Sequence, residues 1–167
     1  GKKILDIGCG PCGSLEWADR VSVRVGLDIL ADSYRKLASD TYKMQYVAAL
    51  SEQVPFPDEY FDVISSFNSL DHVDNLEQTV NEIIRVIAPG GLFLLLTEVN
   101  HAPTVCEPQQ FSWDVTKLFS PRLKALEEKH YENFGMGAYN RTYRKIPYNH
   151  DDKSHRPGTL AVKFIKI

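Results

Sequence analysis

The start of the sequence constrains the fold most, because an apolar run leads directly into a glycine-rich turn. Residues 4–7 are apolar apart from Asp6, and Gly8, Gly10 and Gly13 follow them. A short apolar run bounded by turn residues is typical of a buried strand. Glycines after such a strand let the backbone turn sharply and approach a ligand without an intervening Cβ. We therefore expect a ligand-binding loop here, followed by a short helix that Ser14 caps.

Strand-like and helix-like segments alternate from this loop to residue 97. Four further apolar segments are typical of strands, at 23–28, 45–48, 61–67 and 92–97. Helical spacing is found over 31–39, and again in a set of apolar residues that consists of Leu76, Val80, Ile83, Ile84 and Ile87. The run Pro89-Gly90-Gly91 is expected to end that second helix. This alternation predicts βαβ units and a mostly parallel sheet that is covered on both faces.

The last third of the sequence has a different pattern. A short helix is predicted from Asp114 to Phe119, and longer strands are predicted over 125–134 and 159–167. The polar segment between these strands predicts a hairpin with a long connection, which we expect to cover the ligand pocket. No repeat or linker divides the sequence, so we expect one domain over 1–167. The fold class predicted is a three-layer α/β/α sandwich, Rossmann-like in its alternation.

Composition and charge narrow the class of protein. The 167 residues suffice for one domain with a sizeable core, and the net charge of -3 gives no overall attraction to nucleic acid or anionic membrane. No apolar run approaches the roughly 20 residues that span a bilayer. Three cysteines do not form a disulfide framework, which favours a cytoplasmic location. Because the sequence begins with Gly1, we expect that an N-terminal segment has been removed or lies outside it.

Two acidic residues indicate which ligand the loop binds. Asp28 ends the second predicted strand, where a carboxylate can accept hydrogen bonds from both ribose hydroxyls of an adenosine cofactor. A tight turn with a capping aspartate is the structural alternative. Dinucleotides and S-adenosylmethionine both fit such a loop. Asp6 would repel a pyrophosphate but could hold an ammonium group, which favours S-adenosylmethionine.

At this point the sequence resembles the class I S-adenosylmethionine-dependent methyltransferases of the type 11-like group. The resemblance lies in ILDIGCGPCGSLEW, GLDIL, VPFPDEYFDVISSFNSLDHV and EIIRVIAPGGLFLLL, which together extend over about residues 3–97. It implies a seven-stranded sheet with helices on both faces and an antiparallel last strand. It also implies methyl transfer from S-adenosylmethionine to a small-molecule acceptor, with S-adenosylhomocysteine as the product.

The resemblance assigns roles to the glycine loop and the second strand. Asp6 and the backbone of Gly8 and Gly10 would face the methionine part of the cofactor. Asp28 would bind the ribose, and Ile29 would pack against the adenine.

It also assigns roles to residues after the third and fourth strands. Phe67 and Asn68 would line the methionine side of the cofactor. The family often has an acid at the position of Leu50, where it accepts a hydrogen bond from the adenine amino group. Leucine cannot accept that bond, so we expect the backbone of Ala49 and Ser51 to help hold the adenine.

Histidines near the strand ends are candidates for contact with the methyl acceptor. His72 could act as a general base, although it could equally cap a helix or line the pocket. Methyl transfer is an in-line displacement in which positioning can supply most of the rate, so a base is optional. Glu98 and His101 follow the fifth strand and are further candidates for acceptor contact. No metal site is predicted, because Cys9 and Cys12 suit a tight loop and the His150–His155 group suits an exposed one.

Two other functions remain open from the sequence. Leu50 and the absent N-terminal segment motivate a domain that binds the cofactor without turnover. An NAD-binding oxidoreductase is the third possibility, although Asp6 argues against it. The residues 139–145 interleave aromatic and basic side chains, so RNA contact is a minor alternative to a protein without nucleic-acid or membrane partners. The oligomer expected is a monomer or a homodimer.

Overall fold

Seven strands form a single mixed sheet. The computed structural model describes residues 1–37, 42–135 and 137–167, except for the side chains of Leu37, Ala138, Tyr139 and Arg141. The strands are β1 (Lys2–Ile7), β2 (Val21–Leu27), β3 (Gln45–Val47), β4 (Phe61–Phe67), β5 (Ile87–Val99), β6 (Leu123–Glu132) and β7 (Gly158–Lys166). Their order is β3-β2-β1-β4-β5-β7-β6, and only β7 runs antiparallel to its neighbours. The predicted fold class, with its antiparallel last strand, is confirmed.

Within the described ranges, three α-helices and two 3₁₀ helices connect the strands. The α-helices are α1 (Ala31–Leu37), α2 (Leu76–Val86) and α3 (Ala138–Arg144), and the 3₁₀ helices are Leu70–His72 and Trp113–Phe119. The side chain of Asn75 accepts the Gln78 N–H and caps α2. The end of the first predicted helix, residues 38 and 39, lies outside the described residues.

The main core lies on one face of the sheet. Alternate residues of each strand point to that face, where α2 and the 3₁₀ helix Trp113–Phe119 cover them. The largest fully buried side chains there are Phe61, Phe93, Phe119 and Phe164. The opposite face has a much smaller cluster, made of Ile4, Leu15 and Met44. This arrangement leaves the carboxyl ends of β1, β2 and β4 at one edge of the sheet.

The segment between β1 and β2 corrects one prediction. Residues 10–17 form a series of turns, and no helix begins at Ser14. Gly13 adopts φ +54°, outside the helical region, and the Asp6 carboxylate accepts the Ser14 N–H at 2.5 Å. A contact from another part of the chain therefore replaces the first turn of the expected helix.

The connection from α2 to β5 is shorter than predicted. The helix ends at Val86, and β5 begins at the next residue and runs through Pro89-Gly90-Gly91 to Val99. A Cβ on Gly91 would lie 2.8 Å from the Ala88 carbonyl oxygen, so this path requires glycine there. The start of β5 thus lies five residues before the predicted start of that strand.

The predicted hairpin of the last third is confirmed as β6 and β7, but its connection differs from the prediction. The short helix α3 lies within it and contacts β5, β6 and β7. Among the described residues that line the cavity presented below, none comes from this hairpin. The expectation that the hairpin covers the pocket is therefore wrong, because α3 packs on the sheet.

No helix among the described residues is both long enough and apolar enough to cross a bilayer.

Candidate active site

A cavity of about 440 Å³ opens at the carboxyl ends of β1 to β4. Strand order reverses between β1 and β4, and such a point is where ligands bind in open α/β sheets. Most of the residues predicted from the sequence line this cavity, namely Gly8, Asp28, Ile29, Leu50, Ser51, Asn68 and His72. The topology thus brings together residues from four separate loops.

Gly8 and Gly10 give the loop after β1 its path. Both have positive φ, at +64° and +60°. A Cβ on Gly8 would overlap the side chain of Ser69, which comes from the loop after β4, whereas a Cβ on Gly10 would meet nothing within 4 Å. The Ser69 hydroxyl donates to the Ile7 carbonyl at 2.8 Å and joins the two loops. Gly8 is therefore required for close packing, and Gly10 for its backbone conformation alone.

Asp28 holds the loop and still faces the cavity. Its Oδ2 accepts the Gly10 N–H at 3.0 Å, and its Oδ1 accepts the Leu30 N–H at 2.9 Å. A carboxylate has about four acceptor positions, so capacity remains for ligand hydroxyls. The sequence left two roles open for Asp28, capping the turn and binding the ribose. One side chain can fill both.

Apolar side chains form the wall next to Asp28. Ile29, Leu30 and Leu50 line the cavity and are 63%, 50% and 47% exposed, respectively. Exposed apolar side chains that converge on one cavity are typical of a ligand site. A flat aromatic ring such as adenine would cover these side chains. Leu50 has no side-chain hydrogen-bond acceptor for the adenine amino group, as expected for a leucine at this position.

Asn68 lies on the opposite side, directly after β4. Its φ is +55°, and its N–H donates to the Leu96 carbonyl at 2.7 Å. Its side-chain oxygen Oδ1 is buried and accepts no hydrogen bond from the described residues. A buried acceptor without a donor is unfavourable, and the strained backbone adds to this. The site therefore offers an acceptor that a ligand ammonium group could satisfy.

Asp6 and Phe67 occupy places that differ from those predicted. Asp6 is 1% exposed, and its carboxylate accepts the Ser65 hydroxyl and the Ser14 N–H, both at 2.5 Å. Burial raises its pKa, and the bonds from Ser65 and Ser14 oppose that shift. Asp6 is not among the cavity residues, so it supports the loop from below instead of facing the ligand.

Phe67 lies on the other face of the sheet, because side chains alternate along β4. It lines a separate groove there with Leu94 and Leu96. The structure does not bring it to the cavity, and the contact predicted from the resemblance is not supported.

The comparisons with known proteins agree with this site. The family described as a methyltransferase domain matches residues 5–95, which is more than half of the chain. The chain belongs to this family, the class I S-adenosylmethionine-dependent methyltransferases. The match covers most of β1 to β5 and all of the loops after β1 to β4, whereas Cys106, which also lines the cavity, lies beyond it.

Two relatives and one solved structure illustrate the likeness. The chain is 33% identical over 104 residues to the sterol 24-C-methyltransferase of Pneumocystis carinii, covering 56% of the chain and 27% of that protein. It is 33% identical over 135 residues to the ubiquinone/menaquinone biosynthesis C-methyltransferase of Stutzerimonas stutzeri, covering 75% and 48%. The chain thus spans less than half the length of either relative. The S-adenosylmethionine-dependent methyltransferase of Mesorhizobium loti shares the fold, with a TM-score of 0.69 at 19% identity over 99% and 91% of the two chains.

Glu52 is a residue of this methyltransferase site that sequence reasoning missed. Its Oε1 accepts the N–H groups of Asp74 and Asn75 at 3.0 and 3.1 Å, and its Oε2 accepts the Ser51 hydroxyl at 3.1 Å. These bonds tie the loop after β3 to the start of α2. An acid three positions before Pro55 was the available signal, but a single acid cannot be distinguished from a surface residue by sequence.

His72 lines the cavity from the 3₁₀ helix after β4. Its Nδ1 lies 2.7 Å from the Cys106 carbonyl oxygen. Because a carbonyl can only accept, Nδ1 carries the hydrogen and Nε2 of the neutral ring has a free lone pair. This tautomer is compatible with the predicted role as a general base.

Proposed function

We propose that the cavity binds S-adenosylmethionine and that the protein transfers its methyl group to a small-molecule acceptor. The bound cofactor would supply an electrophilic methyl group on a sulfonium. The observation that carries the proposal is the pairing of two groups across one cavity. Asp28 presents a carboxylate on one side, and Asn68 presents on the other a buried oxygen that no described residue donates to.

The residues between these two groups fit the parts of the cofactor. Asp28 would bind the ribose hydroxyls, and Ile29 and Leu50 would cover the adenine. The loop at Gly8 allows the methionine part to approach the backbone closely. Asn68 Oδ1 would accept from the ammonium group. Asp6 would act through the loop, by holding its backbone in place.

Positioning is the main contribution we propose from this chain. A methyl group held in line with the acceptor converts a bimolecular step into a nearly unimolecular one. The apolar wall would keep water away from the reacting atoms. His72 would contribute as a base only for acceptors that must lose a proton. The role of His72 remains a prediction.

The acceptor is proposed by class only. The two relatives are named for methyl transfer to a sterol and for ubiquinone and menaquinone biosynthesis, which supports a small molecule. The cytoplasmic location, the monomer or homodimer and the lack of nucleic-acid partners stay predictions. The acceptor would enter past the loops after β4 and β5, which border the cavity at His72 and Cys106.

Calorimetric titration tests the cofactor proposal. We expect S-adenosylmethionine and S-adenosylhomocysteine to bind, and NAD not to bind. Asp28→Asn should weaken both by about 10- to 100-fold, because hydrogen bonds to a charged group contribute about 1.5–3 kcal/mol. Asp32→Asn is the matched control, since Asp32 is exposed on the adjacent helix and forms an ion pair with Arg35 at 3.6 Å. Failure of the unmodified chain to bind either compound would contradict the proposal.

Binding without turnover is the alternative that Leu50 favours. Leu50 lines the cavity at the position where the resemblance expects an acid. Leu50→Asp should tighten S-adenosylmethionine binding if the adenine lies there, and Leu118→Asp is a control on an exposed leucine remote from this cavity. An acceptor screen that gives S-adenosylhomocysteine would reject the alternative. Tight binding with no product from any acceptor class would favour it.

A further inference from the structure

A second group of polar side chains lies at the edge of the cavity, where the loops after β4 and β5 meet. Asp71 belongs to the 3₁₀ helix Leu70–His72, and His101 follows the end of β5. The Asp71 side chain is 1% exposed, yet neither of its carboxylate oxygens accepts a hydrogen bond from the described residues. A buried carboxylate without donors is strongly unfavourable. Its environment therefore favours either protonation of the carboxyl group or a positively charged partner.

The two nearest partners are histidines whose hydrogens point elsewhere. His72 Nδ1 lies 2.7 Å from the Cys106 carbonyl, and His101 Nδ1 lies 2.9 Å from the Ala102 carbonyl. Each Nδ1 must carry a hydrogen, because a carbonyl cannot donate one. In the neutral ring, each Nε2 then has a bare lone pair.

Both Nε2 atoms lie near the same carboxylate. His72 Nε2 lies 3.9 Å from Asp71 Oδ1, and His101 Nε2 lies 3.8 Å from Asp71 Oδ2. These distances are too long for hydrogen bonds. His101 Nε2 is itself buried without a partner among the described residues. Two lone pairs and a carboxylate this close to one another repel unless a proton or a metal ion lies between them.

The spacing of these atoms suits a metal ion. Imidazole nitrogens and carboxylate oxygens bind Zn²⁺ at about 2.0–2.2 Å, so two ligand atoms on one ion can lie up to about 4.2 Å apart. Glu107 adds a further carboxylate, and ligand atoms of Asp71, His72 and Glu107 lie within 4.8 Å of one another. The Nδ1 bonds to backbone carbonyls match the support that metal-binding histidines usually have.

We propose that Asp71 and His72, with Glu107 and His101 as further ligands, bind a divalent transition-metal ion. Two imidazoles with carboxylates favour zinc, iron or nickel over magnesium or calcium. The proposal departs from the sequence prediction that the chain has no metal site. Because His72 also lines the cavity, the ion would lie at its edge. A metal on Nε2 would also prevent His72 from acting as a general base.

Titration with Co²⁺, followed by visible absorption, tests this site without any cofactor or acceptor. We expect one equivalent of Co²⁺ with the spectrum of nitrogen and oxygen ligands, and we expect Zn²⁺ to displace it. Asp71→Asn and His101→Gln should each weaken binding at least 10-fold. His155→Gln is the matched control on an exposed histidine. Circular dichroism of each variant would show that it is folded.

Several outcomes would overturn the proposal. These are no saturable binding of Co²⁺ or Zn²⁺, equal binding by folded Asp71→Asn and His101→Gln, or a sulfur-to-cobalt band that indicates cysteine ligands. A protonated Nε2 on His72 or His101 in ¹⁵N spectra with Zn²⁺ present would show a proton in place of the metal. The proposal does not rest on the function proposed above, because S-adenosylmethionine binding is measured separately.

Discussion

Two buried aspartates lie near the carboxyl ends of neighbouring strands, and their surroundings differ. Asp6 lies in β1, and Asp71 follows β4; each is about 1% exposed or less, and burial raises the pKa of each. The Asp6 carboxylate accepts two hydrogen bonds at 2.5 Å, from Ser65 and Ser14. The Asp71 carboxylate accepts none from the described residues.

This difference separates a structural acid from a binding acid. The partners of Asp6 come from the chain itself, so its carboxylate serves to fix the glycine loop. The partners of Asp71 are two histidines that offer lone pairs instead of hydrogens, so the fold leaves its charge for a cation. The same residue type at the same edge of one sheet therefore has opposite effects on stability.

The largest effect on stability is expected from removing Asp6, the aspartate whose carboxylate accepts two hydrogen bonds. Asp6→Ala removes the acceptor at 2.5 Å of both the Ser14 N–H and the Ser65 hydroxyl, whose other acceptor is the Leu5 carbonyl at 3.5 Å. Each buried hydrogen bond lost or weakened in this way costs about 1–3 kcal/mol. We expect the free energy of unfolding in urea to fall by about 3 kcal/mol, with loss of S-adenosylmethionine binding. Asp114→Ala is the control, since Asp114 forms an exposed pair with Lys117 that contributes little. Equal effects of the two substitutions would show that Asp6 does not anchor the loop.

A change in stability of the opposite sign is expected at Asp71, whose carboxylate accepts no hydrogen bond from the described residues. In metal-free protein at pH 8, Asp71→Asn removes a buried charge and places one NH₂ group near the lone pair of either His72 or His101. We expect a gain of about 2 kcal/mol in the free energy of unfolding, in line with the cost of a buried polar group without partners. Asp6→Asn should lose stability under the same conditions. A loss at both positions would mean that Asp71 has protein donors after all.

The pH dependence sharpens this contrast. The folded pKa of Asp71 lies above its ordinary value of 3.8, chiefly because of burial, while positive charge on His72 and His101 acts in the opposite direction and Glu107 adds to the shift. An acid with a raised folded pKa contributes stability that is present below the unfolded pKa and lost as pH rises through the folded pKa.

Asp71→Asn should therefore resemble the unmodified protein near pH 3 and become progressively more stable than it above about pH 4. Urea unfolding at a series of pH values, with chelator present throughout, measures this difference. A difference that stays constant from pH 3 to pH 8 would be inconsistent with a raised pKa at Asp71. Asp114→Asn provides the flat reference profile.

Local patterns predicted the parts of the fold that local physics determines. β4 was predicted to the residue, because apolar residues bounded by turns mark a buried strand. The helix expected at Ser14 was not found, because Asp6 takes the Ser14 N–H across the loop. That contact depends on tertiary structure and leaves no periodic signal. The helix α3 was not predicted for the same reason. It lies in a polar segment, and it packs against β5 to β7, which include residues distant in the sequence.

The candidate site could be predicted from the sequence where a single residue of one loop has a role of its own. Asp28 and Asn68 line the cavity as expected, since the end of the strand before Asn68 was correctly predicted and that of the strand before Asp28 was predicted to within one residue. Phe67 was misplaced because the alternation along β4 puts it on the opposite face. The group around Asp71 and His101 could not be found from the sequence, because it forms only where the loops after two neighbouring strands meet. The sequence indicated His72 and His101 as separate candidates, and their spacing did not indicate that they lie in one group.

The smallest effect concerns one of the two donors of Asp6. Ser65→Ala removes the hydroxyl bond to Oδ1 and should lower the free energy of unfolding by about 1 kcal/mol at pH 7. The same change raises the Asp6 pKa further, because that bond favours the charged form. Protonation of Asp6 at low pH restores a neutral carboxyl, so the loss should shrink as pH falls. Ser66→Ala is the matched control, since the Ser66 hydroxyl pairs with the neutral hydroxyl of Ser69 at 2.8 Å. Its effect on stability should not vary with pH, and parallel pH profiles for the two variants would show that the Asp6 charge is not what Ser65 stabilises.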